Sequence, residues 1–242
     1  MATKVIPIKQ FSSWSWSRYQ DWVKCPLKAK LKHIDKLREP SNDAMERGTN
    51  IHKMAENYVL GNLRTLPTEL RAFKEEFAKL KKLYKTKKLP LSVEGDLAFT
   101  KDWDSTAWND WQGAWVRIKI DCEHFEAPNL LVVTDYKTGK MDERNTAEYM
   151  LQLQLYAVSG LVRFSHIKDI VVQPRILYLD HGVEFPPAGE QVQYTLKDLK
   201  GLIKDWGKRV APMFADKRFA PKPNYGCKWC FFSKAKNGNC KF

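Results

Sequence analysis

The chain has 242 residues, 43% hydrophobic and 29% charged, which fits a folded protein with a substantial core and excludes a disordered tail. No apolar run approaches the ~18 residues of a membrane-spanning helix, and residues 1–10 lack the apolar core of a signal peptide, so a cytoplasmic protein with no membrane partner is expected. Lysine and arginine number 41 against 28 acidic residues; the formal charge of +13 favours a polyanionic partner, nucleic acid ahead of an anionic membrane surface.

In chain order, residues 12–37 read as helix. Trp16, Tyr19, Val23 and Leu27 recur at helical spacing, and Ser12, Ser13 and Ser15 are N-cap candidates. Pro26 should kink or divide this segment. A second helix is predicted over 42–60, stopped by Gly61. A third covers 69–85, with Leu70, Phe73, Phe77, Leu80 and Tyr84 as its apolar stripe. The period then changes. Residues 91–100 have strand character, and 114–121 alternate, with Val116, Ile118 and Ile120 on one face and Arg117, Lys119 and Asp121 on the other. Residues 130–137 read as a central strand buried on both faces. Helix follows over 146–163. A strand over 170–179 is interrupted by Pro174, which suggests an edge or a bulge. A helix over 195–214 is capped by Thr195, and a linker bearing Pro212, Pro221 and Pro223 leads to the last cysteines. This order gives an α/β core at 89–215, an N-terminal helical portion at 1–88 and a cysteine segment at 216–242.

The most informative stretch is Thr-Asp-Tyr-Lys-Thr-Gly-Lys, residues 134–140, at the end of the central strand. Asp135 and Lys137 are two apart and share a strand face. A carboxylate able to hold a metal thus sits beside a cation able to hold a water or a phosphate, the pairing that phosphodiester hydrolysis needs. Asp121 is expected at the end of the preceding strand. His52 and Glu56 share one helix face, and so do Gln152 and Tyr156. Each has an ordinary reading alone: a solvated cap, a packed histidine, a helix face. Together they converge on one end of the sheet.

Five cysteines, an odd number, argue against a disulfide framework. Cys227, Cys230 and Cys240 form a CxxC with a third thiol, a signal for metal or cluster ligation; Cys25, Cys122 or a histidine could supply the fourth ligand. Cys122 follows Asp121 and should point to the opposite face, as a buried thiol. Zn²⁺ is the alternative to an iron–sulfur cluster. Among the nine tryptophans, Trp103 and Trp108 lie in a polar stretch and are candidates for stacking single-stranded bases. Lys140 is a candidate DNA contact.

These motifs resemble the PD-(D/E)XK nuclease superfamily in its RecB-like branch, which includes AddB-type and CRISPR-adaptation exonucleases. The pieces that match are Gly48-Thr49-Asn50-Ile51-His52 with Glu56, then Asp121, Asp135-Tyr136-Lys137-Thr138-Gly139, and Gln152 with Tyr156, in the family's order. Ile120 stands where the family often has glycine. The resemblance implies a restriction-endonuclease-like central mixed sheet flanked by helices, with the cysteine segment closing on the N-terminal helices. It implies Mg²⁺ or Mn²⁺ held by Asp121, Asp135, the Tyr136 carbonyl and His52, with Glu56 the last candidate ligand, Lys137 at the attacking water, and Gln152 and Tyr156 positioning Lys137 or the DNA backbone. It also implies a [4Fe–4S] cluster on Cys25, Cys227, Cys230 and Cys240. The chain has no GxxxxGK[ST] phosphate loop, so any unwinding must come from a helicase or recombination partner.

Overall fold

The computed structural model describes residues 10–242. Seven strands form one mixed sheet in the order β2-β1-β3-β4-β5-β6, with β7 also pairing with β5. They are β1 (Leu91–Phe99), β2 (Ser105–Thr106), β3 (Val116–Ala127), β4 (Leu130–Lys137), β5 (Val171–Tyr178), β6 (Val183–Phe185) and β7 (Tyr194–Thr195). The β4–β5 pair is parallel and the other pairs are antiparallel. The helices α1 (Trp16–Lys24), α2 (Pro26–Ala29), α3 (Asp43–Val59), α4 (Lys74–Thr86), α5 (Thr146–Arg163) and α6 (Leu196–Ala215) complete the α/β fold expected from the sequence.

Two apolar cores flank the sheet. In one, Leu153, Leu155, Val158 and Leu161 of α5 and Trp206, Val210 and Met213 of α6 pack on Leu131, Val133 and Val172. In the other, Ile51, Ala55 and Val59 of α3 and Phe77 and Leu80 of α4 pack on Tyr136 and Leu177. Gly160 lets α5 approach closely: a Cβ there would lie 2.9 Å from both Leu131 Cδ2 and Val172 Cγ2. One and two turns upstream on the same helix face stand Tyr156 and Gln152.

Pro26 divides the first helix as expected, because proline is favoured at the first position of a new helix, α2. Cys25 sits extended between α1 and α2, and the chain continues into a π-helical turn at Lys30–Ile34. Pro174 lies neither at an edge nor at a bulge; β7 pairs with Val171 and Val172 and β6 with residues 176–178, so it falls in the gap between them. Pro212 belongs to α6 and not to the linker.

The strand β3 runs to Ala127, so Asp121 lies in its middle. Only its second half pairs with β4, from Cys122–Thr134 to Ala127–Leu130. On the same edge, Trp14 bridges to Val116, and Arg117 N–H donates to the Trp14 carbonyl at 2.9 Å. Between those contacts β3 and β4 splay, and a cleft opens on residues 118–121.

Candidate active site

The cleft has a volume of about 400 Å³ and is lined by His52, Trp108, Asp121, Asp135, Gln152 and Tyr156, with Trp16 and Arg18 of α1 on its wall. Asp121 bridges the splayed strands: its Oδ2 accepts from the Tyr136 backbone N–H at 2.6 Å. Its Oδ1 lies 3.2 Å from His52 Nδ1. Burial acts to lower the His52 pKa, but the bond to Asp121 and the fields of Asp135 and Glu94 outweigh it and raise the value.

Glu94 was not found from the sequence. With His52 and Asp121 it forms a group whose ligand atoms all lie within 4.8 Å of one another. Alternation along β1 assigns Glu94 to the same face as Ser92 and Asp96, which hides it. The backbone decides otherwise: Glu94 has φ 50°, between the pairs Val93–Cys122 and Gly95–Ile120. A non-glycine residue held there costs about 1–3 kcal/mol and persists where its surroundings impose it. Desolvation and then the Asp121 charge raise the Glu94 pKa. Glu56 stands one turn beyond His52, and its Oε2 is held by Lys53 Nζ at 2.9 Å, outside the three-atom group.

Asp135 is buried in a network of its own. Tyr156 Oη donates to its Oδ1 at 2.5 Å, and Gln152 Nε2 donates to the same oxygen at 2.9 Å. Lys137 Nζ lies 2.7 Å from Oδ2. Gln152 and Tyr156 therefore orient the aspartate; the structure records no bond from either to Lys137. Desolvation and the charge of Asp121 raise the Asp135 pKa against the opposing pull of Lys137. For Lys137, burial is outweighed by Asp135 and Asp121, so its pKa is raised and the group is an ammonium ion. The turn after it is pinned by Asp180, whose Oδ2 accepts from Gly139 N–H at 2.7 Å and from Arg47 Nη1 of α3 at 2.9 Å.

The two expected stacking tryptophans part ways. Trp103 is only 3% exposed and packs against Phe99 and Trp115, so it offers no face to a base. Trp108 is half-buried in the cleft wall, with Lys119 Nζ 5.2 Å from its ring centroid. Lys140 is exposed past the turn and does not line the cleft.

The donor set fits a hard divalent cation: carboxylate oxygens and one imidazole meet at a point where the Asp121 charge helps raise the pKa of Glu94 and of Asp135, a repulsion that a cation relieves. A family model of the PD-(D/E)XK nuclease superfamily matches residues 13–235. The chain belongs to the PD-(D/E)XK nuclease superfamily. Nucleases of this superfamily use divalent metals. Among solved structures, a candidate exonuclease from Eubacterium rectale is 13% identical with a TM-score of 0.46, over 90% of this chain and 87% of that one. LHK-Exo in complex with dAMP is 14% identical with a TM-score of 0.40, over 85% of this chain and 88% of that one. No curated protein matches the chain.

A second site lies at the chain's two ends. Cys25, Cys227, Cys230 and Cys240 line one cavity of about 280 Å³ with Leu31 and Phe232. Lys222 N–H points at Cys25 Sγ at 3.5 Å and Asn224 N–H at Cys227 Sγ at 3.4 Å. Cys122 is elsewhere, wholly buried against Tyr136, and desolvation pushes its thiol up to about 12.

Proposed function

We propose that this nuclease is a RecB-like, Mg²⁺- or Mn²⁺-dependent DNA exonuclease stapled by a [4Fe–4S] cluster. One observation carries the reading. His52, Glu94 and Asp121 bring their ligand atoms within 4.8 Å of one another, His52 and Asp121 line the cleft with Asp135, and Lys137, outside the cleft lining, pairs with Asp135 at 2.7 Å. His52, Glu94 and Asp121 would hold the metal ion, joined by Asp135 and the Tyr136 carbonyl. A metal ion held by these residues would supply Lewis-acid polarisation of the scissile phosphate and a more acidic water for the attack. Lys137, kept as an ammonium by Asp135, would orient that water and stabilise charge developing on the phosphate. Gln152 and Tyr156 hold Asp135 in place for this. DNA is the substrate, single-stranded where Trp108 can stack a base. Unwinding falls to a helicase or recombination partner in the cytoplasm.

The CxxC of Cys227 and Cys230, with Cys25 and Cys240 lining the same cavity, supports ligation of a cluster, with Zn²⁺ as the alternative at these thiols.

The test is degradation of end-labelled single- and double-stranded DNA with Mg²⁺, with Mn²⁺ and with EDTA, comparing the parent with Lys137→Ala. The variant should bind DNA as the parent does and cleave about 100-fold more slowly. Normal cleavage by it removes Lys137 from the chemistry, and a parent inert with both metals overturns the reading.

A further inference from the structure

Beside the cleft lies a second cavity of about 400 Å³, and Arg18 and Arg117 line both. Their guanidiniums converge on a single hydroxyl. Ser13 Oγ accepts from Arg18 Nη1 at 2.7 Å and from Arg117 Nη1 at 3.0 Å. Ser13 is 5% exposed and Arg117 7%, so both are set into the wall. A hydroxyl oxygen satisfies two donors but neutralises no charge.

Neither guanidinium forms an ion pair with a carboxylate among the described residues. The carboxylate that feels Arg117 is Asp110, and it is occupied by the Thr106 hydroxyl at 2.7 Å and the Gly113 N–H at 2.8 Å. The Arg18 pKa is lowered, first by burial and then by the Arg117 charge. Arg117 has a structural duty as well, donating to the Trp108 and Asp110 carbonyls at 3.0 Å each. Among the described residues Arg18 donates to Ser13 alone, through its hydroxyl and its carbonyl, both from Nη1, and Nε and Nη2 of this cavity-lining residue are left for a ligand. Two cations held together in a partly dry cavity repel, and a bound anion turns that repulsion into attraction. Paired guanidinium forks and a hydroxyl match the oxygens of a phosphate. On the rim Trp111 is 72% exposed, with the Arg117 guanidinium 4.7 Å from its ring centroid. The rest of its ring is free to meet a base or sugar.

We propose that Ser13, Arg18 and Arg117 form a seat for a second phosphate of the strand being cut, next to the scissile one, with Trp111 carrying the attached nucleoside. The identity of this ligand rests on the nuclease reading. Terminal monoester and internal diester share the chemistry, and the substrate arms separate them.

Binding is measured on the full chain in EDTA, where cleavage is silent, using short labelled oligonucleotides with a 5′-phosphate or a 5′-hydroxyl. Arg18→Gln should weaken binding about tenfold and reduce the slope of log Kd against log salt by about 0.7–0.9, one phosphate contact. With Mg²⁺ or Mn²⁺, KM should rise about tenfold with kcat little changed. Arg18→Lys should restore part of the loss, and Ser13→Ala, which loosens the pair without removing charge, should lie between. Loss confined to the 5′-phosphorylated oligonucleotide assigns the seat to a strand end; equal loss on both assigns it to an internal phosphate. Unchanged Kd and salt slope in a folded Arg18→Gln overturn the seat, and so does a fall in kcat alone. A parent that cuts nothing but binds through Arg18 defeats the nuclease reading and leaves the seat standing.

Discussion

The Asp121 carboxylate accepts the Tyr136 backbone N–H at 2.6 Å, one step past the point where the β3–β4 ladder ends. A side chain thus replaces a ladder hydrogen bond, and the strand that carries Asp135 and Lys137 is fixed by the same group that faces His52. Asp121→Asn keeps an oxygen for that N–H but loses the charge. It should fold, retain DNA binding and lose at least about 100-fold in metal-dependent cleavage, read by end-label release.

Glu94 shares the cluster with Asp121 and is held with positive φ. Glu94→Gln should weaken Mn²⁺ binding, measured by titration calorimetry, and slow cleavage with either metal. Equal Mn²⁺ affinity in parent and variant removes Glu94 from the ligand set.

Tyr156 donates to the buried Asp135 Oδ1 at 2.5 Å. Tyr156→Phe leaves that oxygen with Gln152 as its side-chain donor and should cost about 1–3 kcal/mol in urea unfolding. Cleavage should slow as well, because Asp135 is no longer fixed beside Lys137.

Asp21 joins α1 to the π-helical turn, bonding His33 at 2.7 Å and Lys32 at 3.2 Å. Burial acts to raise its pKa, but His33, Lys32 and Lys28 outweigh it and bring the value down to about 2, from 3.8 unperturbed. A depressed carboxylate stabilises the fold above its unfolded pKa, and that stability is lost as pH falls from about 4 through about 2. Discounted for partial exposure, the effect is about 1–2 kcal/mol at neutral pH. Asp21→Asn should therefore melt earlier than the parent at pH 7, with the gap narrowing across that window in pH-dependent unfolding.

Purified anaerobically, the protein should be brown, with a visible absorbance that reduction bleaches, and Cys25→Ser should lower cluster content and stability before it affects chemistry. Colourless protein with stoichiometric zinc is the outcome that excludes the cluster.

How far the sequence could be read depended on whether a local pattern carried the signal. The helix α5 was legible to the residue because its amphipathic run is long and begins after a clear loop. The strand β4 was legible because a doubly buried run stops at a glycine turn. The short strands β2, β6 and β7, of two or three residues, carry no period to read. Glu94 was hidden because strand alternation presumes ordinary dihedrals, and its backbone departs from them at that one residue. Trp103 misled because a polar neighbourhood in sequence is not one in space; Phe99 and Trp115 close over it. The Ser13–Arg18–Arg117 cavity was beyond local reading, since residues 13 and 117 are far apart in sequence and meet where Trp14 bridges to Val116.

The tethers of α1 set an order in time. Trp22 Nε1 donates to Asp216 at 2.9 Å, and Cys25 shares its cavity with Cys227, Cys230 and Cys240. A ribosome delivers the cleft carboxylates and Lys137 long before those anchors. Through that interval the helix bearing Trp16 and Arg18 is held only by neighbours already made, Glu148 and the Trp14–Val116 bridge among them, and it gains its last anchors when translation reaches Asp216 and the cysteine segment.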